Sequence, residues 1–115
     1  MAALPPTAAP TALPFCCTVS KTEADRAEAV LRGELDLANS PLLRDELFAA
    51  LDADLAELTL DLSALTFIDS SGLAVLVVVH KRADEKGTAL RLRSVTAPVD
   101  RVLEACGLHE LFQRV

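Results

Sequence analysis

A chain of 115 residues has room for one domain of ordinary size, and with 51% hydrophobic residues it can bury a real core. Trp and Tyr are absent and Phe occurs four times, so the core is aliphatic and offers bases almost no aromatic surface to stack on, which speaks against single-strand nucleic-acid binding. A formal charge of −6 repels a phosphate backbone and anionic lipid alike, and points toward protein partners rather than nucleic acid or membrane.

Residues 1–14 hold Pro5, Pro6, Pro10 and Pro14 among Ala, Leu and Thr, which fixes φ repeatedly and removes backbone donors. A disordered Pro/Ala-rich tail is expected there, ahead of a domain at 15–115. The N-terminus has no basic cluster of the kind that begins a secretory signal. Phe15 to Ser20 reads as a strand, with Cys16 and Cys17 on opposite faces. With Cys106 the cysteines number three, without CxxC spacing, and His80 and His109 lie far apart, so no metal site is legible and the thiols read as reduced and inert. Thr22 to Arg26 is a polar turn, and Ala27 to Leu35 a second strand that completes a hairpin.

A helix starts at Ser40 as N-cap, with Pro41 at the first helical position and Leu42, Leu43, Leu47, Ala50 and Leu51 recurring at helical spacing. Arg44, Asp45 and Asp52 sit on its far face. Leu58, Leu60 and Leu62 alternate with polar residues as a strand does. After the turn Asp69-Ser70-Ser71-Gly72 the β-branched run Val77-Val78-Val79 favours a strand locally, yet the length from Ser70 to Lys86 predicts a helix closed by Gly87. Leu73, Leu76, Val77 and His80 would share its buried face. The longest unbroken apolar run, Leu73 to Val79, is too short to cross a bilayer, and a cytoplasmic protein is expected. Leu90 to Arg93 alternates as a strand, Pro98 opens a last helix through Val99, Val102 and Leu103 to Gly107, and Leu108, Leu111 and Phe112 form a short apolar close.

The order hairpin, helix, strand, helix, strand, helix predicts an α/β fold: a mixed β-sheet with parallel βαβ connections and helices packed on it. The turn at Asp69-Ser70-Ser71 has two readings. These residue types cap a helix by accepting from its free first-turn N–H groups, and the same donors attract anions such as a phosphoryl group. No nucleophile–base pair and no phosphate-cradling Gly-rich loop is visible, so an enzyme, catalytic residues and cofactors are not expected.

Three stretches in register with these elements resemble the STAS domain of bacterial anti-sigma factor antagonists, also called anti-anti-sigma factors. They are Gly33-Glu34-Leu35-Asp36, Leu60-Asp61-Leu62 leading into Phe67-Ile68-Asp69-Ser70-Ser71-Gly72-Leu73, and Val102-Leu103-Glu104-Ala105-Cys106-Gly107-Leu108. The resemblance implies a STAS fold over about residues 15–115. It implies that Ser71 is phosphorylated by a partner that is both anti-sigma factor and serine kinase, with Ser70 as the competing hydroxyl. Asp69 resembles the acidic residue preceding the acceptor, Asp36 the acidic position of a neighbouring loop, and Gly72 a place where the partner's backbone approaches. On the same ground the unphosphorylated protein binds its kinase and frees a sigma factor, and a serine phosphatase reverses the modification. An accessory role in a larger signalling or transport assembly is the alternative. Residue 74 is Ala where many relatives carry Gly.

Overall fold

A computed structural model describes residues 14–115. The tail expectation for 1–14 therefore lies outside the described residues except for Pro14, which is exposed. The elements run β1 (Cys16–Glu23), β2 (Arg26–Leu35), α1 (Ser40–Leu51), β3 (Glu57–Ile68), α2 (Ser70–Lys86), β4 (Ala89–Arg93), α3 (Ala97–Ala105) and β5 (Gln113–Arg114). They build one five-stranded sheet in the order β1-β2-β3-β4-β5. Only β1 and β2 pair antiparallel; each later strand lies parallel to its predecessor across a helix. Such crossovers put helices over a sheet face and leave the loops after the parallel strands at one end.

The register decides which face is covered. Ala27, Leu58 and Leu90 stand abreast, as do Ala29, Leu60 and Leu92, and all six are buried. The three helices bury their apolar sides in the same cluster, through Leu43, Leu47 and Leu51 of α1, Leu73, Leu76 and Val79 of α2, and Val99 and Leu103 of α3. Every fully buried large side chain among the described residues is a leucine, and each contributes about 1.5–3 kcal/mol by leaving water. The other sheet face is polar and laced across strands: Glu57 pairs with Arg26 and Arg91, and Arg93 with Glu28 and Asp61.

Several expectations need correction. The first hairpin is tighter than the polar turn 22–26, because β1 continues to Glu23 and only Ala24 and Asp25 turn. Ser40 is not the N-cap of α1 but its first helical residue, behind Asn39. Leu42 is 56% exposed and does not share the buried side of α1. On α2 the buried line runs Leu73, Leu76, Val79 and Ala83, while Val77 and His80 sit at its half-buried margin, His80 meeting the Phe112 ring edge-on at 5.5 Å. The apolar close at 108–112 is followed by a fifth strand, β5, whose two exposed residues carry no apolar signal.

β3 is also longer than the alternation at 58–62 suggested. Its buried residues fall at 58, 60, 62, 65 and 68, because two extra residues are inserted against β2: Val30 and Arg32 face Asp61 and Ala64, and Gly33 and Glu34 face Leu65 and Phe67. Each bulge shifts the period-2 pattern by one and tightens the local twist. On β2, Gly33 sits beside them at φ 91°, a backbone conformation that favours glycine.

Candidate functional site

The two bulges deliver β2 and β3 to the same level, where Leu35 pairs with Ile68 and the chain leaves each strand through an aspartate, Asp36 and Asp69. The Asp69 N–H donates back to the Leu35 carbonyl at 3.1 Å, which locks the two exits together. This is the carboxyl end of adjacent parallel strands, where open α/β sheets place their sites.

At the second exit Asp69 caps α2. Its Oδ1 accepts from the Ser71 N–H at 2.9 Å, the Gly72 N–H at 3.1 Å and the Ser71 hydroxyl at 2.5 Å. These donors, the Ser71 hydroxyl first and the Gly72 amide next, hold the Asp69 carboxyl below the usual carboxylate range. The anion-attracting donors of the turn are thus already occupied by the protein's own carboxylate. Ser70 is exposed beside them, whereas Ser71 is half-buried.

At the first exit, residues 36–39 form a braced loop. Asp36 accepts from the Ala38 N–H at 3.0 Å through Oδ1, and its own N–H donates to Asn39 Oδ1 at 2.9 Å. Asn39 Nδ2 donates to the Glu34 carbonyl at 2.9 Å, so this side chain braces the loop and makes no cap bond to α1. The Asp36 carbonyl gathers three donors: the amides of Asn39 and Ser40 at 3.2 and 2.9 Å and the Ser40 hydroxyl at 2.6 Å. Ser40 Oγ then lies 3.2 Å from Ser71 Oγ and joins the two exits through side chains.

Asp36, Asp69, Ser70 and Ser71 therefore meet at one place. Gly72 is different. It is buried, and a Cβ there would lie 2.8 Å from Ile68 Cγ1 and from Leu35 Cγ and Cδ2, so a close approach inside the fold already requires glycine at this position. Two residues of the site escaped the sequence reading. Ser40 was read as a helix cap, and Leu37, 74% exposed between Asp36 and Asn39, fits no core periodicity. An apolar residue set between two turn formers is the signal that marks it.

The groove lined by Val19, Asp45, Glu46, Ala49 and Ala50 lies between β1 and α1, away from this cluster. Near it, burial pushes the Cys17 thiol up to about 12, with Glu46 and Cys16 adding to the effect, so Cys17 stays protonated at neutral pH. Among the described residues no three His, Cys, Asp or Glu side chains gather as metal ligands, and no helix is long and apolar enough to cross a membrane.

Comparison with known proteins matches residues 22–115 to the family described as STAS domain. An anti-sigma F factor antagonist of Paenibacillus polymyxa is 35% identical over 82 residues, covering 70% of each chain. Among solved structures, an anti-sigma factor antagonist from Mycobacterium paratuberculosis superposes with a TM-score of 0.78 at 21% identity, over 88% of this chain and 85% of that one. The unphosphorylated anti-sigma factor antagonist SpoIIAA gives 0.75 at 19%, over 87% and 88%. The matched span begins within β1 and takes in both strand exits and all three helices, so the sheet order is family architecture: the chain belongs to the STAS domain family, among the anti-sigma factor antagonists.

Proposed function

We propose that this protein is a partner-switching binding module whose switch is Ser71. In the unphosphorylated form it binds a cognate anti-sigma factor that is also a serine kinase, and so frees a sigma factor. Transfer of the γ-phosphoryl group of ATP to Ser71 Oγ breaks the bond to ADP, forms the Oγ–P bond and releases the hydroxyl proton. The modified protein lets go of the kinase until a serine phosphatase restores the hydroxyl.

The observation that carries this reading is the bond from the Ser71 hydroxyl to Asp69 at 2.5 Å, at the meeting point of two loops. A phosphoryl group removes that donor and brings about −1.5 to −2 charges against a carboxylate that already holds the turn's amides. The hydroxyl and the phosphate therefore present different surfaces without any change of fold. Exposed Leu37 and Leu42, in the adjoining loop and the first turn of α1, supply the apolar contact area a protein partner needs, and Asp36 and Ser70 the polar rim. Relatives named as antagonists of anti-sigma factors support the choice of partner class.

The test is incubation with ATP and the cognate kinase, with the phosphate located by mass spectrometry. Label on Ser71, lost in Ser71→Ala while the complex still forms, is the expected result. Label on Ser70 that persists in that variant would move the switch to the neighbouring hydroxyl.

A further inference from the structure

We infer that Ser40 is the positioning residue that relays the phosphorylation state of Ser71 to the loop Asp36–Asn39. The inference rests on the reading of Ser71 as the acceptor and adds how the change leaves that residue.

A serine hydroxyl has one hydrogen to give. Ser71 gives its hydrogen to Asp69 at 2.5 Å, and Ser40 gives its own to the Asp36 carbonyl at 2.6 Å. The two oxygens nevertheless stand 3.2 Å apart, within hydrogen-bond reach with either able to donate, and this is the longest of the three contacts. Ser40 is 3% exposed, so no bulk water competes for its hydroxyl. In this state each hydrogen favours its carboxylate or carbonyl acceptor over the neighbouring hydroxyl, so the Ser40–Ser71 contact is the weakest of the three.

Phosphorylation reverses the preference. Ser71 loses its hydrogen and gains three strong acceptor oxygens, while the nearby amides of Ser71 and Gly72 remain committed to Asp69. The Ser40 hydroxyl is then the adjacent donor, and an anionic oxygen is a stronger acceptor than a neutral carbonyl. Rotation about one side-chain bond carries its hydrogen from the Asp36 carbonyl to the phosphoryl group. The Asp36 carbonyl loses the shortest of its three bonds, and the loop that carries Leu37 and Ala38 relaxes.

The experiment uses the full chain with phosphoserine encoded at position 71, which needs no kinase, and compares phosphorylated with unphosphorylated protein by amide 1H–15N spectra. In the parent the amides of Leu37, Ala38 and Asn39 shift on phosphorylation; in Ser40→Ala the shift is lost, and in Ser40→Thr it returns. Because each variant is compared with its own unphosphorylated form, a purely structural effect of the substitution cancels. Ser40→Cys, similar in volume and a far weaker donor, replaces the alanine variant if the latter does not fold. Loop shifts as large without the hydroxyl as with it, or no loop shift in the parent, would overturn the relay. A kinase that never labels Ser71 would overturn the proposed function instead, and leaves this readout intact.

Discussion

Asp69 does two jobs with one carboxylate: it caps α2 through the amides of Ser71 and Gly72, and it holds the Ser71 hydroxyl. Because these donors favour the ionised form, its contribution to stability is fully present above the unfolded carboxylate pKa of about 3.9 and is lost as pH falls through the lowered folded value. Asp69→Asn should therefore give a shallower decline of melting temperature between about pH 5 and pH 2 than the parent. Parallel curves would show that the carboxylate is not favoured in the folded state. Gly72 answers a different question. Adding a methyl group places a Cβ 2.8 Å from Leu35 and Ile68, so Gly72→Ala should cost about 1–3 kcal/mol in denaturant unfolding. Unchanged stability with weakened partner binding would restore the idea of a partner's backbone at that point. The cap was legible because an Asp before an apolar helix acts on residues two and three positions away. The crowding at Gly72 and the Ser40–Ser71 contact were not, since they join positions 37 and 31 residues apart.

Among the elements, α1 and β3 show where a pattern can be read and where it breaks. The spacing of Leu43, Leu47 and Leu51 marks the buried side of α1, but Leu42 fits a leucine-rich helix equally well on paper while standing 56% exposed. The two leucines should separate cleanly in experiment. Leu43→Ala should destabilise the fold by about 2–5 kcal/mol through the cavity it leaves. Leu42→Ala should stay within about 0.5 kcal/mol of the parent in stability and weaken kinase binding. A stability loss at Leu42 as large as at Leu43 would mean that α1 packs differently. In β3 the alternation after Leu62 disappears because each of two bulges adds a residue, which no period-2 template can follow. Those same irregularities bring Asp36 and Asp69 level, so the least legible stretch of the sheet is the one that builds the site. β5 was illegible for a simpler reason, being two exposed residues long.

At the scale of the whole molecule, an acidic, leucine-cored α/β domain presents one helix-covered face, one polar sheet face and one end where the loops after β2 and β3 converge. The ion pairs of the polar face are partly exposed and worth about 0–1 kcal/mol each, so the leucine core and the crossover topology hold the fold. Fold class and helix positions could be read from residue order because each depends on local periodicity and capping. The network at the strand ends depends on long-range register and could not. A switch of local charge in such a frame should change binding and leave folding nearly alone. Calorimetric titration of the unphosphorylated and Ser71-phosphorylated chain against the cognate anti-sigma kinase, beside thermal unfolding of both, tests this most directly. The account predicts similar melting temperatures and a loss of at least about 1–3 kcal/mol in affinity on phosphorylation, roughly 5-fold to 150-fold. Equal affinities, or a loss of binding that comes with collapse of the melting temperature, would contradict it.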